Sequence, residues 1–200
     1  VTHSFPTRRS SDLNPLTLKL GLLLGLSASM FFGLNAYMGN LLEQQGHFGK
    51  LSEALFCYNI AQVFASLMML KMARQWVGRR NLIIWMAALS ILGTAGTIVT
   101  EGWWSIAFAT FMSFVAGILL ILLIALPPRV VRSEDTGRLS AGTFLVGYTV
   151  AFSVPMLGGV LADWTGDIRH ALMVMVGYSL LVLPLTFTLD LTNKKGQPEG

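Results

Sequence analysis

Charged residues are scarce in this sequence, and their scarcity excludes most classes of soluble protein. Asp, Glu, Lys and Arg make up 12% of the 200 residues, against about a quarter in an ordinary globular domain. Hydrophobic residues make up 54%, and the mean hydropathy is +0.63. A soluble core does not need so much apolar surface, so the composition indicates a membrane protein.

Cysteine and histidine are also rare. The single cysteine, Cys57, lies inside an apolar run, so the chain forms no intrachain disulfide. Beyond the first few residues there are two histidines, His47 and His170, far apart in the sequence. We find no residue spacing typical of a metal cluster or of a catalytic acid–base pair. We therefore expect no enzyme activity, no metal and no cofactor.

No ionisable side chain lies near the middle of any long apolar run, so the sequence predicts no proton relay within the membrane. The formal net charge is +4. However, the basic residues form short clusters between apolar runs and do not line one face, so we expect no nucleic-acid partner.

The first 13 residues differ in character from the rest of the chain. They are polar and basic, whereas the sequence after Asn14 is apolar and patterned. The string HSFPTRRSSDL, from His3 to Leu13, resembles the translation of one frame of a common sequencing-library adapter. We interpret residues 1–13 as an artefact and exclude them from the fold prediction. The alternative is a genuine basic N-terminal arm.

Six apolar runs are long enough to cross the hydrocarbon core, which needs roughly 20 helical residues. Runs of this length without alternating polarity do not fit the strands of a membrane barrel. We predict an all-α membrane protein, with a six-helix bundle over 14–192 and a cytoplasmic tail at 193–200. The predicted spans are 20–42, 54–70, 81–100, 102–128, 139–162 and 171–189.

The distribution of lysine and arginine predicts the orientation of these spans, because cytoplasmic loops retain basic residues. Loops on one side carry ten basic residues, and those on the other side carry two, Lys50 and Arg169. We therefore expect both native ends of the bundle in the cytoplasm. Small residues four apart, such as Gly21 with Gly25, predict close helix packing. Pro155 and Pro184 predict kinks.

Uncharged polar residues are the remaining candidates for a binding site. Asn59, Gln62 and Ser66 form a stripe on one face of the second span, and Asn35 lies on the first. Ser113 and Tyr148 are further candidates on the fourth and fifth spans. Buried amides in membrane proteins also join helices to one another, so interhelical bonding and solute contact stay open as alternatives.

Three short motifs carry a family resemblance. They are GLNAY at 33–37, GRR at 78–80 and GGVLADWTG at 158–166. Together they resemble the C-terminal half of the major facilitator superfamily, and within it the bacterial cyanate/2-nitroimidazole transporter group. The resemblance covers the chain from Asn14 to about Thr192.

This resemblance implies an inner-membrane transporter that moves a small polar or anionic organic solute by secondary active or facilitated alternating access. Its partner would be a missing N-terminal half of six helices, with the solute site between the halves. The implied solute contacts are Asn35, Asn59, Gln62, Ser113 and Tyr148. The alternative is a self-contained six-span scaffold or transporter subunit without its own substrate site.

The loop at Gly78, Arg79 and Arg80 resembles the cytoplasmic gating motif of the superfamily. In that motif an acidic residue normally precedes the glycine by three, but here the position holds Gln75. Trp76 stands where a basic residue is common. The departure puts the charge relay of this motif in doubt for this half.

Overall fold

A computed structural model describes residues 15–131, 133–189 and 191, and the described chain is helical, without strands. Two short 3₁₀ turns, Phe48–Lys50 and Leu183–Thr188, accompany the α-helices. The helices are α1 (Pro15–Gln44), α2 (Leu51–Trp76), α3 (Arg80–Val99), α4 (Gly102–Ile124), α5 (Pro127–Val130), α6 (Ser133–Thr165) and α7 (Arg169–Val182). The interpretations of residues 1–13 and 193–200 concern segments outside the described residues.

The all-α fold with six membrane-spanning segments is confirmed, because six described helices are long and apolar enough to cross a bilayer. The helix bounds differ from the predicted spans in two ways. Helices α1, α2 and α6 extend several residues past the apolar runs. The fourth span was predicted to reach Pro128, but α4 ends at Ile124, and α5 begins at Pro127. The two consecutive prolines cannot continue the α4 ladder, because each lacks a backbone N–H.

Helices α1 and α4 form the centre of the bundle. In the most apolar stretch of each, 67% and 61% of the residues are buried, against 28% in both α2 and α6. Helix α1 packs chiefly on α6, and α4 packs on α2 and α3. The two central helices also contact each other, and α7 lies against α6, α1 and α3. Helices α2 and α6 therefore present most of the exposed side chains.

The close contact of α1 with α6 depends on glycine, as the small-residue spacing predicted. A Cβ added at Gly21 would collide with Val146, and one added at Gly25 would collide with Val150. The contact is reciprocal, because a Cβ at Gly147 of α6 would collide with Leu24. Close backbone approach of this kind supplies dispersion contacts, the main driving force for helix association in lipid.

The two proline residues affect their helices differently. Helix α6 continues as an α-helix through Pro155, and the Pro155 carbonyl accepts a hydrogen bond from the Tyr37 hydroxyl at 2.8 Å. At Pro184, by contrast, the chain changes from α-helix to the 3₁₀ turn that begins at Leu183. The last span therefore changes helix type at this proline, and the kinks predicted at Pro155 and Pro184 stay predictions.

Two adjacent glutamines tie the loops together at one end of the bundle, which we call the Gln44 end. The Gln44 amide donates to the Gly166 carbonyl and accepts from the Ile168 N–H, both at 3.1 Å. The Gln45 amide donates to the Thr100 carbonyl at 3.1 Å and accepts from the Gly102 N–H at 3.2 Å. The end of α1 thus holds both the α3–α4 and the α6–α7 connections.

An ion pair joins the same two connections directly. Arg169 lies 2.9 Å from Glu101, with both side chains substantially exposed. An exposed pair of this kind contributes about 0–1 kcal/mol. The glutamine amides, which satisfy backbone groups of the loops, are therefore the stronger constraint on the Gln44 end.

Candidate functional site

Six aromatic rings form a continuous strip across α2, α1 and α6, which we call the aromatic strip. Phe31 stacks on Tyr58 at 5.3 Å, and Phe32 stacks on Phe152 at 5.6 Å between ring centroids. The two neighbouring rings on α1 meet edge to face at 5.6 Å. The strip comprises Phe31, Phe32, Tyr58, Phe144, Tyr148 and Phe152.

One end of the strip is buried and the other is open. The Tyr58 side chain is fully buried, and its hydroxyl donates to the Phe31 carbonyl at 2.9 Å. Phe32 and Tyr148 are 37% and 38% exposed, and Phe152 is 63% exposed. The strip therefore connects the packed interior between α1 and α2 to an open surface on α1 and α6.

Of the predicted site residues, Asn35 and Tyr148 lie beside this open surface. Asn35 is half-buried, on the same face of α1 as Phe31 and Phe32, and its side chain makes no hydrogen bond with any described residue. Tyr148 stacks on Phe144 at 5.9 Å and lies 6.5 Å from Phe32. Each of these two predicted residues therefore lies on a helix face that carries rings of the aromatic strip.

The polar stripe of α2 lies partly at the surface of the bundle. Asn59 is exposed, and its amide nitrogen donates to the Leu55 carbonyl of its own helix at 2.8 Å. Ser66 is also exposed and donates to the Gln62 carbonyl at 3.0 Å. Neither side chain bonds to another described helix. Asn59 therefore lies on an exposed face of α2, and its amide oxygen has no hydrogen-bond partner among the described residues.

Gln62 and Ser113 lie in the contact between α2 and α4. The Gln62 side chain passes over Gly117, where an added Cβ would approach its Cγ at 3.2 Å. Ser113 is fully buried, and its hydroxyl donates to the Tyr58 carbonyl at 2.6 Å. Ser113 therefore joins α4 to α2, behind the aromatic strip and away from the open surface.

The predicted gating loop lies at the opposite end from Gln44, which we call the Arg79 end. Gly78 has a φ of +88°, a conformation that favours glycine. Arg129 of α5 donates to the carbonyl of Val77, which precedes Gly78, and to the carbonyl of Arg74 in the last turn of α2. Arg80 donates to the Phe187 carbonyl at 3.4 Å. The Arg129 guanidinium therefore holds the loop in place. It binds carbonyl groups at the C-terminal end of α2, where the helix dipole favours positive charge.

Sequence reasoning identified Tyr148 and missed the rings around it. Phe144, Tyr148 and Phe152 recur every four residues, the spacing that places side chains on one face of a helix. That signal is visible in the sequence. The addition of Phe32 from α1 is not, because it depends on the register between two helices far apart in the chain. Arg129 and the pair Gln44 and Gln45 were missed for the same reason.

The architecture and this surface define a multi-pass, all-α membrane protein with six apolar spans among its described residues. The described chain contains no group of three or more His, Cys, Asp or Glu residues placed to hold a metal ion. No protein-family model matches the chain, and no curated protein matches it either.

Proposed function

We propose that this chain is one half of a membrane transporter, which moves a small polar or anionic organic solute between two six-helix halves by alternating access. The exposed amide of Asn59 is the observation that carries the proposal. Asn59 lies about 5 Å from the middle of the apolar run 54–70, at 1.5 Å per residue. A membrane-embedded helix surface that carries an exposed amide needs a polar neighbour.

Lipid does not provide such a neighbour. A polar group in hydrocarbon without a hydrogen-bond partner costs free energy, and the Asn59 oxygen has no partner among the described residues. Asn35 has the same need on α1. Two amides at similar depth are therefore better matched to a water-filled cavity or a second protein body than to acyl chains. A solute path between two halves supplies both environments.

The family resemblance supports the same proposal. The motifs at 33–37, 78–80 and 158–166 resemble the C-terminal half of the major facilitator superfamily, and the first of them contains Asn35. On this basis the partner is an N-terminal six-helix half, and the coupling ion, if transport is active, binds there. Within the superfamily, a cyanate-type small anion is the solute class we propose.

We assign solute contact to Asn35, Asn59, Gln62 and Tyr148. Ser113 supports them from behind, because its bond to Tyr58 fixes α4 against α2. The turn at Gly78, Arg79 and Arg80 serves as the cytoplasmic gating loop, restrained by Arg129 in place of the usual acidic residue.

The family resemblance supports a bacterial cytoplasmic membrane, and the basic clusters favour an orientation with the Arg79 end inside. Described contacts gather several of the basic loops at one end: Lys19 donates to the Thr188 carbonyl, Arg80 to the Phe187 carbonyl and Arg129 to the Val77 carbonyl. By the rule that cytoplasmic loops retain lysine and arginine, this end faces the cytoplasm.

Two experiments test the proposed function. Resequencing the genomic locus upstream of Asn14 should reveal about six more apolar spans in frame; a stop or start there would favour the six-span scaffold.

In the full-length protein, Asn59→Ala and Gln62→Ala should then reduce uptake of cyanate or another small organic anion by about tenfold, the effect of about 1.4 kcal/mol. Ser90→Ala is the control, since Ser90 is buried and bonds within α3. Equal effects of all three would contradict solute contact by the amides.

A further inference from the structure

A groove between α2 and α4, which we call the α2–α4 groove, covers the depth of one membrane leaflet. Its volume is about 410 Å³, and it is lined by Val63, Ser66, Leu67, Leu70 and Ala73 of α2 and by Ile121 of α4. Val63 lies beside the middle of the apolar run 54–70, and Ala73 lies further toward the Arg79 end. At 1.5 Å per residue the groove is about 15 Å long, about half of a hydrocarbon core of roughly 30 Å.

The lining of the α2–α4 groove suits hydrocarbon. Leu67 and Leu70 are 54% and 81% exposed in this bundle. Ser66 is the polar member of the lining, and its hydroxyl donates to the Gln62 carbonyl of its own helix at 3.0 Å. Its proton therefore needs no partner from outside. An acyl chain can lie along this part of α2 without leaving a donor unsatisfied.

Two basic residues lie at the end of the groove that is nearer the Arg79 end. Lys71 follows Leu67 by four residues and Arg74 follows Leu70 by four, so each extends a row of side chains that lines the groove. Both are exposed, and neither side chain forms an ion pair or a hydrogen bond with any described residue. Such long side chains can keep their stems on apolar surface and their charges at the level of the lipid headgroups.

Arg129 already has the structural role that these two cations could otherwise have. Basic residues near the end of a helix commonly bind its last carbonyls. Here the Arg129 guanidinium donates to the carbonyls of Val77 and Arg74. The side chains of Lys71 and Arg74 are therefore not needed to cap α2, and their charges can bind a group outside the bundle.

We propose that the α2–α4 groove binds an anionic phospholipid from the leaflet at the Arg79 end, with one acyl chain along α2 and the phosphate beside Lys71 and Arg74. This site goes beyond the proposed function and does not depend on transport. An acyl chain alone would fill the groove but leave both cations without a counter-ion, whereas a lipid of net negative charge satisfies both features. A zwitterionic lipid brings an ammonium group that offsets its phosphate. Each cation adds about fivefold in affinity for the anionic lipid.

The test is photolabelling of the 200-residue chain in lipid nanodiscs. One probe is a phosphatidylglycerol with a diazirine at the end of one acyl chain, and the other is a phosphatidylcholine with the same chain. Mass spectrometry of the peptides measures the label on 63–73, with the label on α3 as the reference for general lipid contact. We expect the phosphatidylglycerol label on 63–73 to exceed the phosphatidylcholine label by at least about fivefold.

Three variants separate the charges from the groove. The double variant Lys71→Gln with Arg74→Gln should reduce the phosphatidylglycerol label on 63–73 to the phosphatidylcholine level. Ser66→Phe fills the groove from an exposed residue and should reduce the label from both lipids. Arg138→Gln is the matched control, because Arg138 is an exposed cation of α6 outside the groove, and it should leave the preference unchanged.

The contrary results are also distinct. Equal labelling by the two lipids, or a preference that survives the loss of both cations, would overturn the proposed headgroup contact. A preference that falls equally in Arg138→Gln would reflect the net charge of the chain and would overturn it too. Labelling that Ser66→Phe does not change would place the lipid outside the groove. If neither lipid labels 63–73, a second copy of the chain or another protein body covers the groove, and the proposal is wrong.

Discussion

Arg129 caps the end of α2 by donating to the Val77 carbonyl, although the two residues belong to different connections of the bundle. A second guanidinium nitrogen donates to the Arg74 carbonyl at 3.3 Å. The last carbonyls of a helix have no partner within it, so this cation satisfies groups that would otherwise need water. The contact joins α5 to the turn at Gly78 and holds the Arg79 end together.

The Arg129 contact predicts a measurable loss of stability on conservative substitution. Lysine in Arg129→Lys keeps the charge but cannot reach two carbonyls with a rigid fork. We expect the Tm in detergent to fall by about 2–4 °C, which corresponds to about 1 kcal/mol for a chain of this size. Arg138→Lys, at an exposed residue of α6, is the control. Equal Tm values for the two variants would show that the Arg129 contact adds nothing to stability.

We predict that replacing Gln44 and replacing Gln45 each speeds amide hydrogen exchange in a different loop at the Gln44 end. Gln44→Ala should accelerate amide hydrogen exchange at Ile168, and Gln45→Ala should accelerate it at Gly102, because each N–H loses its acceptor. An increase of about fivefold corresponds to one hydrogen bond of about 1 kcal/mol. Each variant serves as the control for the other. Exchange that rises at both loops in either variant would indicate that the two contacts act as one unit.

We predict that the Tyr58 hydroxyl stabilises the contact between α1 and α2. Tyr58→Phe removes the hydrogen bond to the Phe31 carbonyl and keeps the ring stack, so we expect a loss of about 1 kcal/mol in the free energy of unfolding. Tyr148→Phe is the matched control, because the Tyr148 hydroxyl has no partner among the described residues. Denaturation curves followed by fluorescence would measure both variants. A Tyr148 effect as large as the Tyr58 effect would refute this account.

The proposed orientation predicts which end of the bundle is accessible from outside the cell. With Cys57 replaced by serine, Gly49→Cys and Gly137→Cys place single thiols at exposed glycines, where an added Cβ meets no atom within 4 Å. A membrane-impermeant maleimide should label Gly49→Cys in intact cells and Gly137→Cys only after lysis. The reverse pattern would place the Arg79 end outside.

A feature of this fold could be predicted from the sequence when it depends on neighbouring residues, and could not when it depends on residues far apart in the chain. The six spans depend on local composition, and they were found; the end of α4 was misplaced because apolar content continues past Ile124 to the prolines. The contact of Gly21 with Val146 needed the pairing of α1 with α6, which spacing alone does not specify. The spacing of small residues predicted a close helix contact on this face of α1, but it did not predict which helix packs there.

The candidate site divides in the same way. The sequence indicated that Asn59 is a polar residue within an apolar span, but its bond to Leu55 and its exposed position depend on the folded structure. Ser113 carried the same polarity signal and is buried against Tyr58. Helical periodicity places a residue on a face of its helix, whereas the identity of whatever covers that face depends on tertiary packing.

The pairing of α1 with α6 also has a consequence for biosynthesis. Gly21 and Gly25 meet valines that lie 125 residues later in the chain. At a synthesis rate of about 5–20 residues per second, α1 leaves the ribosome roughly 6–25 s before its main partner. During that interval its glycine face is open to lipid or to the insertion machinery. A ribosome that stalls before α6 would therefore release a product whose first helix lacks its partner and is a target for quality-control proteases.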